Sequence, residues 1–182
     1  SSTSRGLGDV YKRQVKDGSL IEGGDWSVSC LHTPGHTSNH LCFSWDSKKI
    51  LFPGDQVMGW STSIVSPPDG DMGDYMRSLE KMLTRGDKIY YPAHGPSIRN
   101  PKKMVKAFID HRREREEKIL SCLGSGIETI NDMVPKVYSD VSQELYGAAA
   151  RSLFATVIYL VEMGKIIPLE DVTVNGRYEL SS

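Results

Sequence analysis

Three short stretches hold side chains able to do chemistry, and each sits where an apolar run meets a turn. They are LHTPGHT, ending with His36 and Thr37, LFPGDQ, which contains Asp55, and YYPAHGP, which contains His94. In each, a strand-like segment stops at Pro or Gly and presents an imidazole or carboxylate just beyond the stop. Such turns can hold a ligand at a fixed angle, as metal sites require. Imidazole and carboxylate donors together suit Zn2+ or another first-row ion. His36, Asp55 and His94 are therefore the candidate metal ligands, with Asp55 also the candidate catalytic group. His40, four residues after His36, is a candidate for facing the substrate or for a structural role behind the site. Trp60 and Ser66, on the loop after Asp55, would either line a substrate pocket or form an ordinary turn. Lys102 leads a basic group with Lys103 and Lys106 that could meet an anionic substrate. His32 and His111 read as hydrogen-bonded histidines without a ligand role.

The elements that must position these groups can be read in order. Residues 19–22, 26–32, 40–45 and 49–52 read as strands separated by Gly23-Gly24, Thr33-Pro34-Gly35 and Asp46-Ser47. Their close spacing predicts an antiparallel meander. Residues 72–85 carry Met72, Tyr75, Met76, Leu79 and Met82 at helical spacing, and residues 88–91 follow as a strand. That strand-helix-strand order predicts a crossover helix on one sheet face. If the strands share one sheet, the three candidate ligands gather on one rim. Pro101 opens a long helix to residue 123, since its missing N–H has no partner at that position anyway. The HRREREEK segment within it reads as a solvated face with i,i+4 pairs. Beyond Gly124, residues 127–137 and 144–163 read as helices, with Thr129 a candidate N-cap. Residues 166–169 and 177–180 read as a two-stranded wing around Asn175-Gly176.

The domain reading that follows is a leader over 1–14, a sheet-and-helix part over 15–100, a bridging helix over 101–123 and a helix-helix-hairpin module over 124–182. The stretch GLGDVYKRQ resembles translated adapter sequence found at the ends of assembled reading frames. Native sequence is therefore expected to begin near Val15. A net charge of −1 over 182 residues argues against a strongly basic nucleic-acid binder. The module beyond Gly124 carries Lys136, Arg151, Lys165 and Arg177 against eight acidic residues from Glu128 to Glu179, a net −4, so DNA binding is disfavoured. That module is instead expected to pack on the rest of the chain, shape its pocket or form a homodimer. No run of eighteen apolar residues occurs, so no membrane span is expected. Three cysteines without CxxC spacing fit a reducing, cytoplasmic setting.

TPGHT, GD and AHG, in this order, resemble the third, fourth and fifth motifs of the metallo-β-lactamase superfamily. MGWSTSIVSPPDGDMGDYMRSLEKM, the AHGPSI turn and the HRREREEKIL helix are similar to one branch of it. That branch carries a C-terminal β-lactamase-associated winged-helix domain and includes a mitochondrial ribonuclease. The resemblance implies an α+β fold, the αββα sandwich, of which this chain would hold the C-terminal part. It also implies a site for two metal ions, with His36 on the first, Asp55 bridging both and His94 on the second. A water shared by two metals roughly 3.5–4 Å apart would lose a proton and attack a carbonyl or phosphorus centre. The family's remaining ligands come from an upstream HxHxDH motif, which this sequence lacks. Each ion would then keep two protein ligands here, so weak sites are expected. The chain is also expected to be a fragment, marginally stable and aggregation-prone, with apolar sheet surface exposed. The activity implied is hydrolysis of a small anionic ester or thioester, as by a hydroxyacylglutathione hydrolase. The alternatives are a ribonuclease or other phosphodiesterase acting on RNA, and a non-catalytic winged-helix interaction module.

Overall fold

The computed structural model describes residues 14–181, so the expected leader, apart from Gln14, lies outside the described residues. Four strands, β1 (Leu20–Glu22), β2 (Ser27–His32), β3 (Leu41–Trp45) and β4 (Ile50–Phe52), form the expected antiparallel meander. The chain then crosses through helix α1 (Met72–Leu83) to β5 (Ile89–Tyr90), which lies parallel to β4 and completes a sheet ordered β1-β2-β3-β4-β5. Because β2 and β4 both run antiparallel to β3, and β5 runs parallel to β4, the C-terminal ends of β2, β4 and β5 share one edge. This is the arrangement that a common rim requires.

Helix α1 starts where Asp71 accepts a hydrogen bond from the Asp74 N–H at 2.6 Å, a side-chain cap for one of the unpaired amides of the first turn. Its stripe of Tyr75, Met76, Leu79 and Met82 packs with Cys42, Leu51 and Tyr90 from one sheet face. Helix α2 (Pro101–Gly124) covers the same cluster with Val105, Phe108 and Ile109. The other sheet face carries Phe43, Trp45, Ile50, Phe52 and Ile89, all partly or fully exposed, and Phe52 stacks on the exposed Tyr91.

A second cluster gathers Ile119 and Leu123 from α2 with Ile130, Met133 and Val137 of helix α3 (Ile130–Val137). Leu153, Val157 and Leu160 of helix α4 (Tyr146–Glu162) and Tyr178 join it. Helix α3 begins later than the periodicity predicts because Thr129 caps it, accepting from the Asp132 N–H at 3.3 Å. Strands β6 (Ile166–Pro168) and β7 (Tyr178–Leu180) pair antiparallel. The Asn175-Gly176 turn lies at the end of the longer loop 169–177 that joins them and is not a two-residue hairpin. Residues Gln143–Glu162 are long and apolar enough to cross a bilayer by length and composition. Three of their apolar side chains, Leu153, Val157 and Leu160, are fully buried against the second cluster.

The reading of HRREREEK as a wholly solvated face is corrected at Arg112, which is 4% exposed. It lies one turn after Phe108, on the buried stripe of α2, and donates to the Ser63 carbonyl. Its guanidinium also lies 5.3 Å from the centre of the Tyr75 ring. A guanidinium can bury its stem while its N–H groups reach a carbonyl, which charge pattern alone does not reveal.

Candidate functional site

The loop from β2 to β3 is pinned from below before it presents His36. Gly35 has φ +137°, and a Cβ there would stand 2.3 Å from the Tyr75 Cα, so only glycine lets α1 pack directly under the turn. The Asp71 N–H donates to the Gly35 carbonyl at 2.9 Å, and the Ser78 hydroxyl to the Pro34 carbonyl at 2.7 Å. The His36 ring is oriented by a 2.6 Å hydrogen bond from Nδ1 to the Ile64 carbonyl. A carbonyl only accepts, so Nδ1 carries the proton and, in the neutral ring, Nε2 keeps its lone pair. That Nε2 lies 4.0 Å from Asp55 Oδ2.

Asp55 follows β4. Its backbone N–H donates to His40 Nε2 at 3.2 Å, and its carbonyl accepts from the Ser63 hydroxyl. The second contact ties Asp55 through Ser63 to Arg112 on α2. Gly54, with φ +55°, makes room for the first: a Cβ there would lie 2.7 Å from His40 Nε2. His40 Nδ1 in turn lies 2.9 Å from the Thr33 hydroxyl, which is 3.1 Å from the Cys42 sulfur. Both His40 nitrogens are thus engaged by the protein. Burial, and then the neighbouring His36 ring, lower the His40 pKa from its ordinary value and favour the neutral form that accepts from Asp55.

His94 follows β5. The Ala93 N–H donates to the Gly54 carbonyl at 3.1 Å, and the Gly59 N–H to the His94 carbonyl at 2.9 Å, so the Asp55 and His94 loops are laced together. His94 Nε2 lies 3.5 Å from Asp55 Oδ1. Trp60 is 68% exposed and stacks on His94, with ring centres 6.5 Å apart and planes at 25°.

The structure therefore brings His36, Asp55 and His94 together, with one carboxylate oxygen facing each imidazole. Among the described residues, no three His, Cys, Asp or Glu side chains converge tightly enough to hold one ion. The arrangement is instead two pairs that share Asp55. Asp55 Oδ1 is buried and has no hydrogen-bond partner among the described residues. A buried carboxylate oxygen without a donor is unfavourable unless a cation approaches it, and this suits a bridging ligand. Ser66 closes a turn, its carbonyl accepting from the Gly70 N–H at 2.9 Å and its hydroxyl donating to the Pro67 carbonyl at 3.4 Å. Lys102 is exposed on the first turn of α2, with no ion pair among the described residues.

Ser63, Ile64, Thr33 and Arg112, which steer these groups, were not singled out from sequence. For Arg112 a signal existed, because it continues the Val105, Phe108 and Ile109 stripe toward Ile119. Ile64 acts through its carbonyl, which no side-chain pattern encodes.

Residues 4–94 match the family model of the metallo-beta-lactamase superfamily, a span that takes in most of the expected leader. The chain belongs to that superfamily. It is 33% identical over 175 residues to the lactamase-like protein nscB of Trichophyton rubrum, covering 84% of this chain and 53% of that protein. It is 29% identical over 164 residues to an atrochrysone carboxyl ACP thioesterase of Aspergillus chevalieri, covering 82% of this chain and 52% of that protein. The fold superposes on a beta-lactamase domain protein from Burkholderia ambifaria with a TM-score of 0.81 at 18% identity, covering 93% of this chain and 52% of that one. A metallo-beta-lactamase family protein from Thermus thermophilus gives 0.78 at 21% identity, over 91% and 53%. The chain thus spans about half the length of the curated relatives it matches.

Proposed function

We propose that this chain forms part of a metal-dependent hydrolase acting on a small ester or thioester, with His36, Asp55 and His94 as its metal ligands. The observation that carries the reading is Asp55, set between two imidazoles with one buried oxygen lacking a donor. Zinc suits this donor set. Bound divalent ions would supply Lewis-acid polarisation of the substrate carbonyl and acidification of water. The chain's own residues do the positioning. His36 is held with Nδ1 protonated, so Nε2 is free to coordinate. His40 fixes the backbone from which Asp55 projects, and Trp60 shields one face of His94.

The thioester preference is supported by the relative named as an ACP thioesterase. The pairing of two ligands per ion supports low affinity in this chain alone. The helices beyond Gly124 with the β6–β7 pair support a winged-helix reading of that part. Its packing against α2 favours a role in shaping the hydrolase site over DNA binding.

Zinc titration by calorimetry tests the site. Wild type is expected to bind weakly, Asp55→Ala to lose all binding, and His36→Ala and His94→Ala each to lose part of it. Equal zinc binding by wild type and Asp55→Ala would overturn the assignment. With zinc present, turnover of an acylglutathione thioester would support the substrate class. Cleavage of single-stranded RNA without thioester turnover would replace it with the phosphodiesterase reading.

A further inference from the structure

A cleft of about 290 Å³ lies between α2, the end of α3 and the start of α4. Its near wall is Thr62, Ser63 and Ile64, the same strap whose carbonyls hold Arg112 and His36. Its far wall is apolar, with Val141, Leu145 and Ala148. Ile64 and Leu145 are 65% and 55% exposed on opposite walls, so the mouth is greasy. The floor differs in character: His111, Arg112 and Arg115 all line it.

Neither guanidinium has a carboxylate within ion-pair distance among the described residues. The nearby acids are committed elsewhere, Glu114 to Lys118 at 2.8 Å and Asp110 to Lys106 at 2.7 Å. Arg112 is 4% exposed, and Arg115 lies flat on the Tyr138 ring at 3.8 Å. One buried nitrogen on each of the three residues, His111 Nδ1, Arg112 Nε and Arg115 Nη1, has no acceptor among the described residues. His111 Nε2 lies 3.3 Å from the Arg115 Nε donor, which leaves Nδ1 as the protonated nitrogen and hence a third donor. A buried guanidinium such as that of Arg112 is ordinarily paired, and unpaired buried donors are unfavourable. A cleft with an apolar throat and a donor-rich cationic floor matches an apolar molecule ending in an acid.

We infer that this cleft is a binding site for a small aromatic or branched aliphatic carboxylate, its acid group held by Arg112 and Arg115. The site stands apart from the metal ligands and does not depend on the hydrolase reading. It abuts them through residues 62–64, so a ligand seated there lies behind the strap that orients His36 and Asp55.

Calorimetry on the metal-free chain tests this with 2-naphthoate and its uncharged analogue 2-naphthamide. Naphthoate is expected to bind at one saturable site, and naphthamide about tenfold or more weaker, the scale of one charge-assisted hydrogen bond. Arg115→Met should remove most of that difference. Ala148→Trp, an exposed position on the cleft wall, should abolish binding of both while circular dichroism shows an unchanged fold. No naphthoate binding by folded wild type overturns the inference, as does equal affinity for the two probes or undiminished binding in folded Ala148→Trp. Zinc titration of the same sample is read separately, so loss of naphthoate binding leaves the metal assignment standing or falling on its own data.

Discussion

Replacing Gly54 with alanine tests whether the Asp55 loop is built as described. Two effects follow from the structure. The first is a backbone effect: Gly54 has φ +55°, where a Cβ disfavours the conformation by roughly 1–2 kcal/mol. Reduced freedom of the unfolded chain offsets about 0.4–1 kcal/mol of that. The second effect is local. The new Cβ would lie 2.7 Å from His40 Nε2, against 3.4 Å or more for ordinary contact, so the imidazole must retreat. The Asp55 N–H to His40 bond, already 3.2 Å, is then broken. An unsatisfied, half-buried donor costs about 1–3 kcal/mol.

Gly126 supplies the control. It has φ +79°, and a Cβ added there would meet nothing within 4 Å, so Gly126→Ala carries the backbone effect alone. Urea melts followed by circular dichroism should place Gly54→Ala about 1–3 kcal/mol below Gly126→Ala, taken from the lost bond. In thermal melts that difference corresponds to roughly 2–12 °C for a chain of this size. Adding His40→Ala to Gly54→Ala should cost less than His40→Ala does alone, because the bond to the Asp55 N–H is already lost and the second change removes the clash. Equal destabilisation by Gly54→Ala and Gly126→Ala would refute the claim that His40 holds the Asp55 backbone.

Arg112→Met removes the donor to the Ser63 carbonyl and should lower stability by about 1.5–3 kcal/mol in urea melts; a change under about 0.5 kcal/mol would class Arg112 with surface charges. Burial, and then the neighbouring Arg115, lower the His111 pKa from its ordinary value. The unfolded chain therefore takes up that proton first, and stability should fall as pH drops below about 6.5. The melting temperature measured between about pH 7 and pH 5 should decline less steeply in His111→Gln, where this linkage is gone. Burial pushes the Cys42 thiol up to about 12 and the side chain is 0% exposed, so iodoacetamide should leave it unmodified in the native chain and alkylate it in denaturant, as read by peptide mass spectrometry.

Much of the sheet was legible because its punctuation is chemical. Pro34-Gly35, Pro53-Gly54 and Gly95 mark strand ends whatever surrounds them, and the spacing of β2 to β4 admits few arrangements other than a meander. That the C-terminal ends of β2, β4 and β5 share an edge follows from those pairings, and with it the approach of His36, Asp55 and His94. The loop 58–71 was opaque for the opposite reason. It has no period, and its contributions are the Ile64 carbonyl, the Ser63 hydroxyl and the close passage of Gly59 by Gly95. Backbone groups are common to every residue type, so composition cannot announce them. Arg112 was hidden differently, since its charged neighbours in HRREREEK made its one buried position look like the rest of a solvated face.

Arg112 also lies between the parts of α2 that serve the two clusters. Helix α2 contributes Val105, Phe108 and Ile109 to the cluster under the sheet, and Ile119 and Leu123 to the cluster around α3 and α4. Arg112 sits between these groups and is the point where the helix reaches the Asp55 loop, through Ser63. Arg115, one turn further, stacks on Tyr138 at the end of α3. Helix α2 is thus shared by both clusters, and Arg112 is where it meets the Asp55 loop.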